Sequence, residues 1–374
     1  MKKTTASQES MPPRTGATSD PHPAPPKLDA PQPDLIARWQ ALKADEPSLR
    51  ARDAAARLGV SEAELLAART DVEVSRLDGP WEQLVGGLAR LGPLMALTRN
   101  DHAVHEKVCR FDNVTVCGGI GRALGDDLDL QVFFEHWHHG FAVTESLPNR
   151  ARRSLQFFDA AGTAVHKIYL RGNGNEDTFR ALARKHRHAR STPSQAASGE
   201  ATRLQPSGRN SGPSHMSDQR FSPEQHGDDR GLLPEPVGDR VELFRSAPGY
   251  AARRVPDDSF QVSLRHAAET GLPVTLVVGN PGAVQVHAGP VRRLKQVGPW
   301  FNVLDPGFSL HLRADGIAAA WVLQAPTRDG VAISLEIFAA DGREIARLSG
   351  SSTGDAKTGD WQALAASLRD SRDH

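Results

Sequence analysis

The stretch SLQFFDAAG, beginning at Ser154, recurs almost unchanged as SLEIFAADG at Ser334, 180 positions further along. The same offset carries Asn100 onto Asn280, Ala103-Val104 onto Ala283-Val284, Leu130 onto Leu310, and Gly162 onto Gly342. It also sets Phe141-Ala142-Val143 against Trp321-Val322-Leu323. One constant spacing across separate matches marks two copies of a whole domain, because the period is far too long for a solenoid repeat. A chain of 374 residues has room for two such units, each with its own core.

The bulk chemistry narrows the function classes. Forty-five basic residues balance forty-five acidic ones, so net charge draws the chain neither to nucleic acid nor to an anionic membrane. Two cysteines, Cys109 and Cys117, form no disulfide framework and fit a reducing compartment. The N-terminal MKKTTASQESMPPRTGATSD has no apolar run behind its lysines, unlike a secretory signal. No window reaches a membrane-spanning length of apolar residues. These features predict a soluble cytoplasmic protein.

Residues 1–33, rich in Pro, Ser, Thr and Ala, are expected to be a disordered tail. A helical segment is expected from Asp34 to about Arg69, broken near Pro47 and Gly59, with Ser61 and Glu64 forming a capping box. From about Leu91 the apolar residues alternate with a period of two. LMALTRNDHAVHEKV reads as a hairpin turning at Asn100-Asp101; DLDLQVFFEHW and GFAVTE read as strands; SLQFFDAAGTAVHKIYL reads as another hairpin. FRALARKHRHAR reads as a helix that ends the first copy, with KHRHAR as its solvated end. The second copy repeats these strands and closes on the helix DWQALAASLRD. The expected organisation is a first repeat over 34–186, a low-complexity linker over 187–239 in place of part of the second repeat's helical region, and a second repeat over 240–374.

ARDAAARLGVSEAELLAAR has the outline of a helix-turn-helix. Its second helix would present Ser61, Glu62, Ala63 and Glu64 to the bases, and two carboxylates there would be repelled by phosphate. Two helices packed over a sheet are the expectation instead. GNPG at Gly279 is a turn, since no Gly-Lys-Ser/Thr follows it.

WQALKADEPSLRARDAAARLGVSEAEL, LTRNDHAVHEKV, LDLQVFFEHW and SLQFFDAAGTAVHKIY resemble the cytoplasmic hemin-degrading family of the HemS/ChuS type. VVGNPGAVQVHAGPV, GPWFNVLDPGFSLHLR and SLEIFAADGREIA are similar to that family's second repeat. The resemblance implies an α+β fold: a tandem duplication of a domain whose large antiparallel β-sheet is flanked by helices. It implies that imported haem is bound in the cytoplasm for trafficking, with reductant-dependent oxidative ring opening in several members. A carrier without catalysis and a diverged member that no longer binds haem are the alternatives. Expected partners are haem, a haem importer, and a reductant or haem oxygenase; neither nucleic acid nor membrane insertion is expected.

Ferric haem needs an axial donor such as neutral imidazole, apolar walls for the porphyrin, and cations or hydroxyls for its propionates. The family's axial-histidine motif aligns with MSDQRF, which places Arg220 at the ligand position, whereas counting back from Gly249 falls within one residue of His226. Arginine stays protonated and ligates iron poorly, so His226 is the candidate. The family's L-D-L-R becomes LDLQ here, which sets Gln131 at the arginine position, and Arg240 matches a family arginine suited to a propionate. Ala325, Ser349 and Ser352 stand where the family has Lys, an aromatic hydroxyl and Arg. An alternative haem or metal set lies in the first copy: His105, His136, His138 and Tyr169, with Trp137 or Phe141 as a porphyrin wall. On a strand His136 and His138 would share one face and His139 the other.

Overall fold

A computed structural model of the chain describes residue 28 and residues 33–47, 49–125, 128–172, 175–188, 245–246, 249–327, 330–351 and 358–368. The tail expected over 1–33 and the linker expected over 187–239 lie almost entirely outside the described residues.

The first half opens with helices α1 (Pro33–Asp45), α2 (Ala51–Leu58) and α3 (Glu62–Ala68), strand β1 (Glu73–Leu77) and helix α4 (Trp81–Gly86). Eight strands follow: β2 (Leu94–Arg99), β3 (Ala103–Cys109), β4 (Val114–Cys117), β5 (Ile120–Gly125), β6 (Leu128–Phe133), β7 (His139–Leu147), β8 (Arg150–Phe158) and β9 (Ala164–Leu170). Helix α5 (Glu176–Lys185) ends the half. The second half has β10 (Ala251–Val255) and α6 (Ser259–Thr270), then β11 (Val274–Asn280), β12 (Ala283–Gly289), β13 (Leu294–Val297), β14 (Trp300–Asp305) and β15 (Phe308–Arg313). It closes with β16 (Ala319–Thr327), β17 (Gly330–Phe338), β18 (Glu344–Gly350) and α7 (Thr358–Ser367). Strands β3 to β9 recur 180 residues later with the same bounds and β2 recurs as β11, one residue longer, so the offset read in SLQFFDAAG extends to all eight.

The halves are not separate sheets. One nine-stranded sheet runs β1-β7-β8-β9-β2-β3-β15-β14-β13, and the other runs β10-β16-β17-β18-β11-β12-β6-β5-β4. Each takes six strands from one half and three from the other, joined by antiparallel ladders between β3 and β15 (Leu310 opposite His105) and between β12 and β6 (Val284 opposite Gln131). The family resemblance implies one large sheet per repeat; the structure keeps both sheets and exchanges three strands between them.

Two asparagines related by the repeat fasten the exchange. Asn100 Oδ1 accepts the backbone N–H groups of His102 and Ala103 at 3.0 and 2.9 Å, which shapes its own hairpin turn. Its Nδ2 donates across to Gly279 O (3.1 Å) and Ile345 O (2.8 Å) in the other half. Asn280 does the converse, accepting from Gly282 and Ala283 and donating to Arg99 O (2.6 Å) and Val165 O (2.8 Å).

The two sheets enclose a common interior. Leu155 and Phe157 of β8 point into it with α4 and α5, while Leu335 and Ile337 of β17 meet α6 and α7. Burying each such side chain contributes about 1.5–3 kcal/mol. Helices α1–α3 cover the opposite, outer face of the first sheet. The predicted capping box forms, with Ser61 Oγ accepting from Glu64 N at 3.1 Å. A Cβ on Gly162 would stand 2.5 Å from Ser61 Oγ, so the β8–β9 turn needs glycine to seat α3. Glu62 and Ala63 are buried in that contact (8% and 0% exposed), which leaves the would-be recognition helix no face for DNA.

Two sequence expectations are revised. The strand read through HWHHG stops at Phe133, and Phe134–His136 form a 3₁₀ turn. That turn drives Trp137 inward, where its Nε1 donates to Gly282 O (2.8 Å) and its ring stacks on Phe157 (4.0 Å). KHRHAR is not simply solvated: Asp78 N donates to His186 O (2.7 Å), and His188 N donates to Arg76 O (2.9 Å) beside β1.

Among the polar groups inside the interior are histidines kept neutral. Thr98 donates its hydroxyl to Gln285 Oε1 (2.8 Å), so it accepts from His166 Nδ1 (3.0 Å). Burial pushes His166 down to about 3, and burial with the nearby Lys107 ammonium does the same to His287.

The latches predict that Asn100→Ala or Asn280→Ala costs about 1–3 kcal/mol in urea denaturation, through orphaned backbone groups. The histidines predict a pH dependence. Between about pH 3 and 6.5 the unfolded chain binds protons that folded His166 and His287 refuse, so their stabilisation is complete above 6.5 and falls with pH. The slope is about 1.4 kcal/mol per unit per histidine. Denaturation of His166→Gln at pH 5 and pH 7 should show a smaller difference than the parent.

Candidate functional site

Residues opposite one another in a ladder share a face. On the outer face of the second sheet Val284 of β12 therefore lies beside Gln131 of β6, which lies beside Arg122 of β5. Val277 lies beside Val286 on one side and Arg347 on the other; Arg347 faces Glu336, and Ser349 faces Ser334. Phe133, Val277, Val284 and Val286 pack into one apolar cluster, with Ile120 against it. The result is an apolar floor with Gln131, Arg347 and Ser349 at its sides. Arg347 Nε is 3.2 Å from Glu336 Oε1, and its Nη2 donates to Glu344 Oε2 at 2.9 Å. Glu336 also accepts from Ser334 Oγ at 2.8 Å.

The repeat supplies a built-in comparison on the first sheet. At the equivalent positions Tyr169 replaces Ser349, Lys167 replaces Arg347, Gln156 replaces Glu336 and Glu145 replaces Ala325. There the outer face is roofed by α3, and only about 110 Å³ remains between Glu62, Arg69, Arg152, Lys167 and Tyr169. That is well below the roughly 300–1,000 Å³ of small-molecule pockets. Burial pushes Tyr169 up to about 12 and pulls Lys167 down, against the raising effect of Glu62, whose carboxylate is 3.7 Å from Lys167 Nζ. Ala325 and Ser349 are smaller than Glu145 and Tyr169, and the floor of the second face is itself buried, with Val284 1% and Phe133 7% exposed.

The sequence-predicted residues scatter across these surfaces. Gln131 lies on the second sheet's floor, whereas His226, Arg220, Arg240 and Ser352 fall outside the described residues. His105 is wholly buried between the sheets against Phe308, and burial first, then His287 and Lys107, hold it well below the ordinary histidine range. Tyr169 sits under α3, and His136 lies on the 3₁₀ turn beside Glu135 (3.6 Å). Among the described residues no group of three or more His, Cys, Asp or Glu is arranged to hold a metal ion. Trp137 and Phe141 are core side chains rather than open walls (3% and 1% exposed). Arg347, Glu336 and the valine floor escaped the sequence reading, although the 180-residue offset from Lys167 points to Arg347.

Arg347 and Glu336 form a buried pair, so Arg347→Ala is expected to cost about 3–5 kcal/mol by stranding the Glu336 carboxylate. Chemical denaturation measures this, and a loss under 1 kcal/mol would show that the pair does not organise the face.

Known proteins match this architecture along most of its length. The model of the haemin-degrading HemS/ChuX domain matches residues 59–186 and again residues 238–368. Hemin transport protein HemS of Yersinia enterocolitica is 33% identical over 337 residues, which span 89% of this chain and 97% of the relative. The crystal structure of PhuS, a heme-binding protein from Pseudomonas aeruginosa, is 34% identical and superposes with a TM-score of 0.72, covering 90% of this chain and 99% of PhuS. ChuS, described as an E. coli heme oxygenase, is 29% identical with a TM-score of 0.69 over 90% of this chain and 99% of its own. No helix among the described residues is long and apolar enough to cross a membrane. With both halves matched by one domain model and a third of the residues shared with HemS, the chain belongs to the haemin-degrading HemS/ChuX family.

Proposed function

We propose that this protein binds imported haem in the cytoplasm and carries it for haem-iron use, on the outer face of the second sheet. The observation that carries the reading is the floor of Phe133, Val277, Val284 and Val286, flanked by Gln131 and Arg347, in a chain 34% identical to a heme-binding protein. A porphyrin buries apolar surface on such a floor, and its carboxylates are held by cations or hydroxyls at the edge. In this reading His226 supplies the axial imidazole, Arg240 holds a propionate, and Gln131 donates a neutral hydrogen bond on the opposing side. The expected organisation of two repeats around a linker at 187–239 belongs to the same proposal.

A second reading, oxidative opening of the ring with an external reductant, is favoured by the 29% identity to a heme oxygenase. Gln131 argues for carriage over turnover: an amide donates a hydrogen bond but supplies no fixed charge.

Titration of the purified protein with hemin, followed by difference absorbance, tests both. A saturable shifted Soret band is expected, strongly altered in His226→Ala. In Gln131→Leu it should persist with affinity lower by about 3–10-fold, the worth of one neutral hydrogen bond. Loss of the band under air with ascorbate would add turnover to carriage. The absence of any saturable band would overturn haem binding, and a band indifferent to His226→Ala would move the ligand to another residue.

A further inference from the structure

Where the two halves meet, at the β2–β3 turn, two adjoining cavities of about 580 and 480 Å³ share Arg52, Arg99, Asp101, His102 and Arg343 in their walls. The larger is lined by five arginines against four aspartates. Three of those aspartates are already engaged: Asp101 holds Arg52 and Arg343, Asp341 holds Arg343, and Asp315 binds Arg313 through two 3.0 Å bonds. The fourth, Asp53, stays among the arginines, while the smaller cavity adds Asp159, which accepts from its own turn, and Glu344, which holds Arg347. Arg99 has a buried Nε with no hydrogen-bond partner among the described residues, and its nearest carboxylate, on Glu62, is 3.8 Å away. His102, whose buried Nδ1 also lacks such a partner, fits only because Gly316 beside it has no Cβ. Arg50 lays its guanidinium over the Trp300 ring, 4.5 Å from the centroid, and the N-terminus of α2 behind it has no side-chain cap.

The duplication shows that the fold does not require this chemistry. At the positions 180 residues away from Arg99, His102, Arg313 and Arg343 stand Gly279, Gly282, Phe133 and Thr163. The asparagine latch forms in both copies with four hydrogen bonds each, and none of these bonds uses an arginine side chain. We infer that the charged junction cleft is a second binding site, for a small molecule carrying two or more carboxylate or phosphate groups. The terminal guanidinium nitrogens of Arg99 and Arg50 hold its oxyanions, and Trp300 backs Arg50. The site is remote in kind from the apolar haem floor and does not depend on the haem reading.

Isothermal titration calorimetry of the full chain at 0.15 M salt, with pyrophosphate and with citrate as probes, tests the site and separates phosphate from carboxylate preference. Saturable binding of at least one probe is expected, weakened tenfold or more in Arg99→Gln. Because Arg99 is largely buried, the exposed pair Arg50→Gln/Arg313→Gln serves as the second variant, and it should weaken binding comparably while leaving hemin titration unchanged. Arg150→Gln, on the surface at the start of β8, should bind as the parent does. No saturable heat with either probe, or binding unaltered by both sets of substitutions, would overturn the assignment.

Discussion

The fold depends on an exchange: neither half can complete its own sheet. The ladders β3–β15 and β12–β6 supply the missing three strands on each side, so the second half's β13–β15 are as much part of the first sheet as β1 is. The buried faces of the seam strands already fix their register. Asn100 and Asn280 add side-chain bonds that tie each β-turn to the opposite half, with both the carbonyl and the amide of each side chain used. The unit of stability is therefore the whole duplicated chain rather than one repeat.

Duplication also frees the outer faces to diverge, because both cores lie between the sheets. One face is sealed by α3, docked at Gly162 and packed against Phe158 and Phe141. The other presents a valine and phenylalanine floor with shorter residues, Ala325 and Ser349, where the sealed face has Glu145 and Tyr169. The outer face is thus a contact with α3 in the first copy and a compact valine and phenylalanine cluster in the second. The same divergence at the seam left one junction of Gly279 and Gly282 and one of Arg99 and His102.

Much of this was legible in the sequence. The repeat and the period-two alternation found β2, β3 and β6–β9 of the first half but not β4 or β5, and Ser61 with Glu64 fixed the start of α3. Strand exchange was not legible, since equal copies pair equally well on paper with either partner and only the three-dimensional seam decides. Histidines misled for a physical reason: His105 and His166 look like surface or ligand residues, yet both lie wholly buried as neutral imidazoles. DLDLQVFFEHW read as one strand through Trp137, but the strand stops at Phe133. The 3₁₀ turn forms instead because Trp137 gains a stacked partner in Phe157 and an acceptor in Gly282 O. Gln131 was found from the family pattern, while its neighbour Val284 and, three strands away, Arg347 needed the register.

The central claim is that one outer face, that of the second sheet, is the haem surface. Crystals of the protein grown with hemin, with diffraction data recorded at the iron absorption edge, test it most directly through the anomalous difference map. The account predicts one iron peak above Val277, Val284 and Gln131, with the macrocycle against Phe133. An iron peak under α3 at Tyr169, or at the His136–His138 turn, would contradict it.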